Sequence, residues 1–295
     1  MINTSRNSLK YNYIKLRPKK NIQSQIYINN IYQEIYCLIK RYYIQTKRRP
    51  SSLLSGILQP LLWLILFGAL FQNAPVNLLT QNKNYHQFLS PGIIVFSSFT
   101  GAINSGLPLM FDREFGFLNR LLVAPLKSRN SLLVSSIIFI ATITTLQTSF
   151  IIISSLLIEY NQLSTQQIIT IFIILLLITL SVGSISICLA FILPGHIEFL
   201  ALILIVTLPT LFSSTALAPL SFMPYWLQII ASINPLTYAI ESIRCLYSVP
   251  YINYKNHIIK TVWLSFNIHN SIYFLMLVAF VCFYVVKYII LYKCE

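Results

Sequence analysis

Six charged side chains crowd into Met110–Ser131, MFDREFGFLNRLLVAPLKSRNS: Asp112, Arg113, Glu114, Arg120, Lys127 and Arg129. The chain as a whole is only 9% charged, so this segment is set apart by composition alone. Its spacing puts no nucleophile beside a base, and the chemistry it offers is ion pairing and docking. Glu114 to Val123 reads as a short helix with Phe115, Leu118, Leu121 and Leu122 on one side, stopped by Pro125. Left in solvent, Arg113 and Glu114 would form a pair worth under about 1 kcal/mol. Farther on, Glu241 and Arg244 stand three apart on a helix, a spacing that suits a local ion pair.

Other reactive side chains are scattered. Cys37, Cys188, Cys245, Cys282 and Cys294 form no CxxC pair and read as free thiols. His86, His196, His257 and His269 fall in loops without HExxH spacing, so no metal site is expected. There is no GxxxxGK[ST] phosphate loop, and the chain is not expected to bind ATP that way.

The elements that carry these residues are apolar and long. The sequence is 56% hydrophobic, with a mean hydropathy of +0.70. Leu, Ile and Val runs of about 20 residues recur, long enough to cross about 30 Å of hydrocarbon as helices. Six spans are expected, near 52–71, 87–111, 132–158, 168–193, 197–218 and 271–292. The charged segment lies between the second and third and must sit at a surface, because charge in hydrocarbon costs several kcal/mol. In the third span Ser135, Thr142, Thr145 and Ser149 share a helical face. A polar translocation path and polar helix packing both fit that pattern.

Around the spans, residues 1–25 read as a basic, disordered arm and 26–46 as a basic amphipathic helix. On that helix Ile28, Ile31, Ile35, Leu38, Ile39 and Tyr42 fall on one face. Residues 219–270 hold Pro219, Pro224 and Pro235 with Phe222, Tyr225, Trp226 and Tyr238, which suits short half-inserted helices. An even span count puts both termini on one side. Lys and Arg then divide 17 to 4 in favour of the side with the arm and the charged segment, the cytoplasm-equivalent side. No carboxylate sits at mid-span, which argues against a carrier powered by protons or sodium. Nucleic-acid binding is not expected, because no nucleic-acid module accompanies the charge. A channel is weak, for want of a charged pore ring.

Two segments resemble the membrane subunits of type-2 ATP-binding-cassette exporters (ABC-2 type permeases). In DREFGFLNRLLVAPLKSR, Arg113, Glu114, Gly116, Leu121, Leu122, Val123, Pro125 and Arg129 match the motif that follows the family's second span. Asn119 departs from it, where the family often has Glu. In INPLTYAIESIR, Asn234, Pro235, Leu236, Thr237, Tyr238, Glu241 and Arg244 match a late signature. The resemblance covers roughly residues 30–295 and makes 52–292 the transmembrane domain.

The resemblance implies an all-α integral membrane protein with six transmembrane helices and both termini on the cytoplasmic (stromal) side. It implies no enzyme activity in this chain and no cofactor, with ATP-Mg bound by separate ABC ATPase subunits. A homodimer and a lipid-like, polysaccharide or amphipathic export substrate are expected. Residues 113–122 would be the coupling helix, with Arg113, Glu114, Gly116, Arg120, Leu121 and Leu122 serving the ATPase. The Ile-, Asn-, Lys- and Tyr-heavy composition suggests an AT-rich genome and resembles family members encoded in red-algal plastids. That implies a plastid (chloroplast) membrane, otherwise a bacterial inner membrane. The alternative function is a non-transporting assembly factor or scaffold whose arm recruits partners.

Overall fold

A computed structural model of the protein describes residues 27–71, 85–123, 130–159, 163–248, 259–260 and 265–293. The arm, the loop at 72–84 and Pro125, Lys127 and Arg129 lie outside the described residues.

Apolar periodicity fixes the first helix, α1 (Tyr27–Arg48). Its inner face is taken by α6 (Asn130–Glu159). Leu38 and Tyr42 are buried there, and the Tyr42 ring stacks on Phe139 at 5.0 Å. Ser131 donates to Glu34 Oε1 at 2.8 Å, and Tyr43 donates to Thr142 Oγ1 at 2.6 Å. Tyr32 and Tyr36 remain exposed on the outer face.

Pro50 opens α2 (Pro50–Leu70), where a missing N–H costs nothing. Leu54, Leu58, Leu62 and Leu66 leave most of that helix as an exposed apolar surface. α3 (Tyr85–Asn104) is buried along most of its length. It bends at Ser105–Gly106 and continues as α4 (Leu107–Glu114), followed by α5 (Phe117–Val123). Ser164 caps α7 (Thr165–Ile192) in a reciprocal box: Ser164 N donates to Gln167 Oε1 at 2.8 Å while Gln167 N returns to Ser164 Oγ. The turn Leu193–Gly195 leads to α8 (His196–Phe212). A 3₁₀ turn (Leu220–Phe222), α9 (Tyr225–Ile233) and α10 (Pro235–Ser248) precede α11 (Ile268–Lys293). The core sits where α3, α6 and α7 meet, flanked by α10 and α11.

Among the described residues, five stretches are long and apolar enough to cross a membrane: Leu53–Leu70, Tyr85–Glu114, Asn130–Leu157, Thr165–Ile192 and Ile268–Ile289. The expected fifth span at 197–218 is a shorter helix of 17 residues. It stops at Phe212, where turns begin and the Asn234 side chain takes the carbonyls of Thr210 and Ser213. Between 219 and 270 the short helices form, joined by a two-residue ladder that pairs Ile259 with Phe266 and Lys260 with Ser265. The all-α expectation therefore holds apart from that ladder.

Candidate functional site

The projecting helix expected over 113–122 is two helices. Gly116 adopts φ +72, the left-handed conformation that ends a helix, and its N–H returns to the Arg113 carbonyl at 3.2 Å. Arg113 and Glu114 therefore close α4, while Arg120 and Leu121 belong to α5. The motif glycine is a stop signal, with Phe115 and Phe117 on either side of the break.

Both charges at the end of α4 reach the junction of α7 and α8, Arg113 from a half-buried position and Glu114 from an exposed one. Arg113 Nη1 donates to the Ala190 carbonyl at 2.8 Å, in the last turn of α7. Glu114 Oε2 accepts the His196 backbone N–H at 3.1 Å, at the first residue of α8. The same carboxylate lies 2.7 Å from His196 Nδ1, which must donate to it. A helix carries partial negative charge at its C-terminus and partial positive charge at its N-terminus. The cation thus sits on the negative end of α7 and the anion on the positive end of α8. Phe111 packs against the His196 ring at 5.4 Å and stacks with Phe115.

A third contact ties the same element to α1. Arg41 pairs with Asp112, which is only 7% exposed. The Arg41 guanidinium also lies over the Phe117 ring, 3.9 Å from its centroid. Sequence reasoning gave Arg41 no role, named Asp112 only as one of the charges of the segment, and placed His196 in a loop, whereas it is the first residue of α8. Asp112 was findable as an acid within a turn of an apolar span, where a partner is obligatory. Its partner was not.

What remains outward is small. Phe115 is 73% exposed at the turn, with Phe117 and Arg120 beside it. Leu118 and Leu121 pack into the core. The Leu122 side chain lies outside the described residues.

At the other end of α3 the late signature makes a second cluster. Asn234 closes α9 and opens α10: its Oδ1 accepts the Leu236 N–H at 3.0 Å, while its Nδ2 reaches the Thr210 carbonyl at 3.1 Å. Pro235 takes the first helical position of α10. Tyr238 donates its hydroxyl to the Ser232 carbonyl at 2.7 Å, and its ring sits against Phe266 and Phe274. Glu241 and Arg244 pair. Arg244 is 8% exposed and also donates to the carbonyls of Thr215, at 2.8 Å, and Phe88, at 3.2 Å.

A family model described as ABC-2 type transporter matches residues 33–247, which include both clusters. The chain belongs to the ABC-2 type transporter family. Three curated relatives are named "Putative transport permease ycf38". The Porphyra purpurea protein is 53% identical over 278 residues, covering 94% of this chain and 96% of its own. The Pyropia yezoensis protein is 56% identical over 251 residues, 85% and 86% of the two chains. The Cyanophora paradoxa protein is 51% identical over 258 residues, 88% and 89%. This ABC-2 chain is a multi-pass membrane protein.

Within this ABC-2 domain the hydroxyl face of α6 divides. Thr142, Thr145 and Ser149 line an open groove with Leu146, Phe150, Ile153 and Phe172. Ser135 lies on the same stripe two turns earlier, but it is fully buried and bonded to the Leu132 carbonyl, so it does not reach the groove. The three groove hydroxyls also donate to carbonyls of their own helix. No group of three or more His, Cys, Asp or Glu able to hold a metal occurs among the described residues.

Proposed function

We propose that this chain is the membrane subunit of an ATP-driven exporter, moved by separate ABC ATPase subunits that bind ATP-Mg. In this reading α8 is the sixth crossing, and both termini face the stromal side of a plastid membrane. α1 lies along the stromal interface, α9 and α10 are half-inserted at the opposite face, and two copies pair to enclose the path. The cargo is a lipid-like, polysaccharide or amphipathic molecule, and the groove beside Thr142, Thr145 and Ser149 is a candidate lining for it.

One observation carries the reading: Arg113 and Glu114 grip the α7–α8 junction while Phe115, Phe117 and Arg120 face out. An ATPase pushing on the outward residues would move α4, and α4 would carry the ends of two helices with it. Packed bundles convert such pushes into discrete rearrangements. The closed box of contacts supports a lever, since a passive loop needs no hold on two helix ends.

The test is crosslinking in native membranes through Arg120→Cys. Adducts with a nucleotide hydrolase, and loss of substrate-stimulated ATP hydrolysis in Glu114→Ala, are the expected results. A residue 120 that never contacts such an enzyme would end the proposal.

A further inference from the structure

Among the three side chains that make the grip on the α7–α8 junction, His196 is the kind whose charge changes between about pH 5 and 8. Glu114 meets it three ways. Oε2 accepts the backbone N–H at 3.1 Å, and the two carboxylate oxygens lie 2.9 and 2.7 Å from ring Nδ1. The two side chains are 34% and 32% exposed, so protons reach the ring directly from water. The contact is not held shut by burial.

The ring has two states, and a carboxylate binds them unequally. Neutral imidazole carries one proton for two nitrogens, and keeping it on Nδ1 gives Glu114 an ordinary hydrogen bond. A protonated ring makes the same bond charge-assisted, and roughly twice as strong. Phe111 lies on the ring at 5.4 Å between centroids, a range at which a cation is drawn to an aromatic.

The surrounding charges set the sign. Glu198, also on α8, folds back over Gly195, where an added Cβ would stand 2.6 Å from its Oε2. Arg113 is committed to the Ala190 carbonyl on the α7 side, and Asp112 to Arg41. The last turns of α7 and α3 bring no titratable group to this end. The positive end of α8 opposes a cation, and the carboxylates of Glu114 and Glu198 lie at that same end and offset it. A proton on the ring therefore strengthens the contact with Glu114, and its loss weakens it.

We propose that His196 makes the hold of α4 on α8 pH-sensitive: closed with the ring protonated, loosened as rising pH removes that proton. This regulation rests on the lever and the stromal orientation proposed above. At acid pH a push on α4 reaches the ends of both α7 and α8. At alkaline pH the hold passes to Arg113 and so to α7. For a partly exposed pair the change in closed population is about two- to fivefold.

The test uses the full chain, carrying heavy-nitrogen histidine, in phosphatidylcholine nanodiscs without any ATPase. Ring nitrogen signals in NMR report the proton. Exchange of the His196 amide reports the hold, because that N–H is released when Glu114 lets go. His196→Gln assigns both signals by their loss. Amide protection, corrected for the intrinsic effect of pH on exchange, should fall about two- to fivefold as the ring loses its proton, with the same midpoint. In Glu114→Gln the protection should be lower and flat. Protection that stays constant while the ring titrates would overturn the proposal, and so would an equal fall at the same midpoint in Glu114→Gln. Should that variant fail to fold, the wild-type titration decides alone. Because no ATPase is present, this result and the crosslinking of residue 120 can each fail alone.

Discussion

Arg113 and Arg244 are both arginines that donate to backbone carbonyls of other helices, yet they stand at opposite ends of α3 in different settings. Arg244 is buried, paired with Glu241, stacked on Phe88 at 3.8 Å and bonded to carbonyls of two further segments. Arg113 makes one reach to Ala190, from a helix that ends one residue later, just before the left-handed Gly116. The first arrangement over-determines its position. The second holds a short element against a turn by contacts that can be made or broken singly. A bundle anchored at one end and latched at the other has a built-in direction of motion.

Variants can break that contrast. The largest loss of stability is expected for Arg244→Ala, which strands a largely buried carboxylate and two carbonyls: roughly 3–5 kcal/mol. The readout is yield of monodisperse protein and its thermal midpoint in detergent. Next comes Arg41→Ala, which leaves Asp112 unpaired at a loss of about 1–3 kcal/mol. Adding Asp112→Asn should restore part of it, and a double-mutant cycle by thermal unfolding measures the coupling. Gly116→Ala meets open space, so only the left-handed backbone opposes it, at about 1–2 kcal/mol. Its effect should appear as a redirected α5, read by crosslinking from residue 120. Smallest in stability, Arg113→Ala and Glu114→Ala should leave the thermal midpoint unmoved. Substrate-stimulated hydrolysis by the partner should nevertheless fall about 5- to 100-fold. Should Arg113→Ala destabilise as much as Arg244→Ala and leave coupling intact, the two ends are alike and the latch is an anchor.

Much of this was legible in the chain. The long helices follow from apolar runs, α1 from its periodicity, and the Glu241–Arg244 pair from an i,i+3 spacing. The two signature segments led to the family that the comparisons then showed. The partners of Arg113 and Glu114 were not legible, because they lie 77 and 82 residues away and one of them is a helix end, which has no residue type. The end of α8 at Phe212 was hidden because the run to Ala218 stays uncharged and free of Gly and Pro, and the side chain that competes for its carbonyls, Asn234, belongs to a later element. Composition reports what an element can do. It does not report which distant group takes up its last bonds.

The grip on the α7–α8 junction combines one positive and one negative side chain, so it has no net charge. A lone arginine there would feel the transmembrane voltage and the anionic lipid of the bilayer surface. An adjacent, oppositely charged pair gains nothing from either field. In the proposed lever, the Arg113–Glu114 pair therefore adds no net charge of its own on which the voltage or the lipid charge could act.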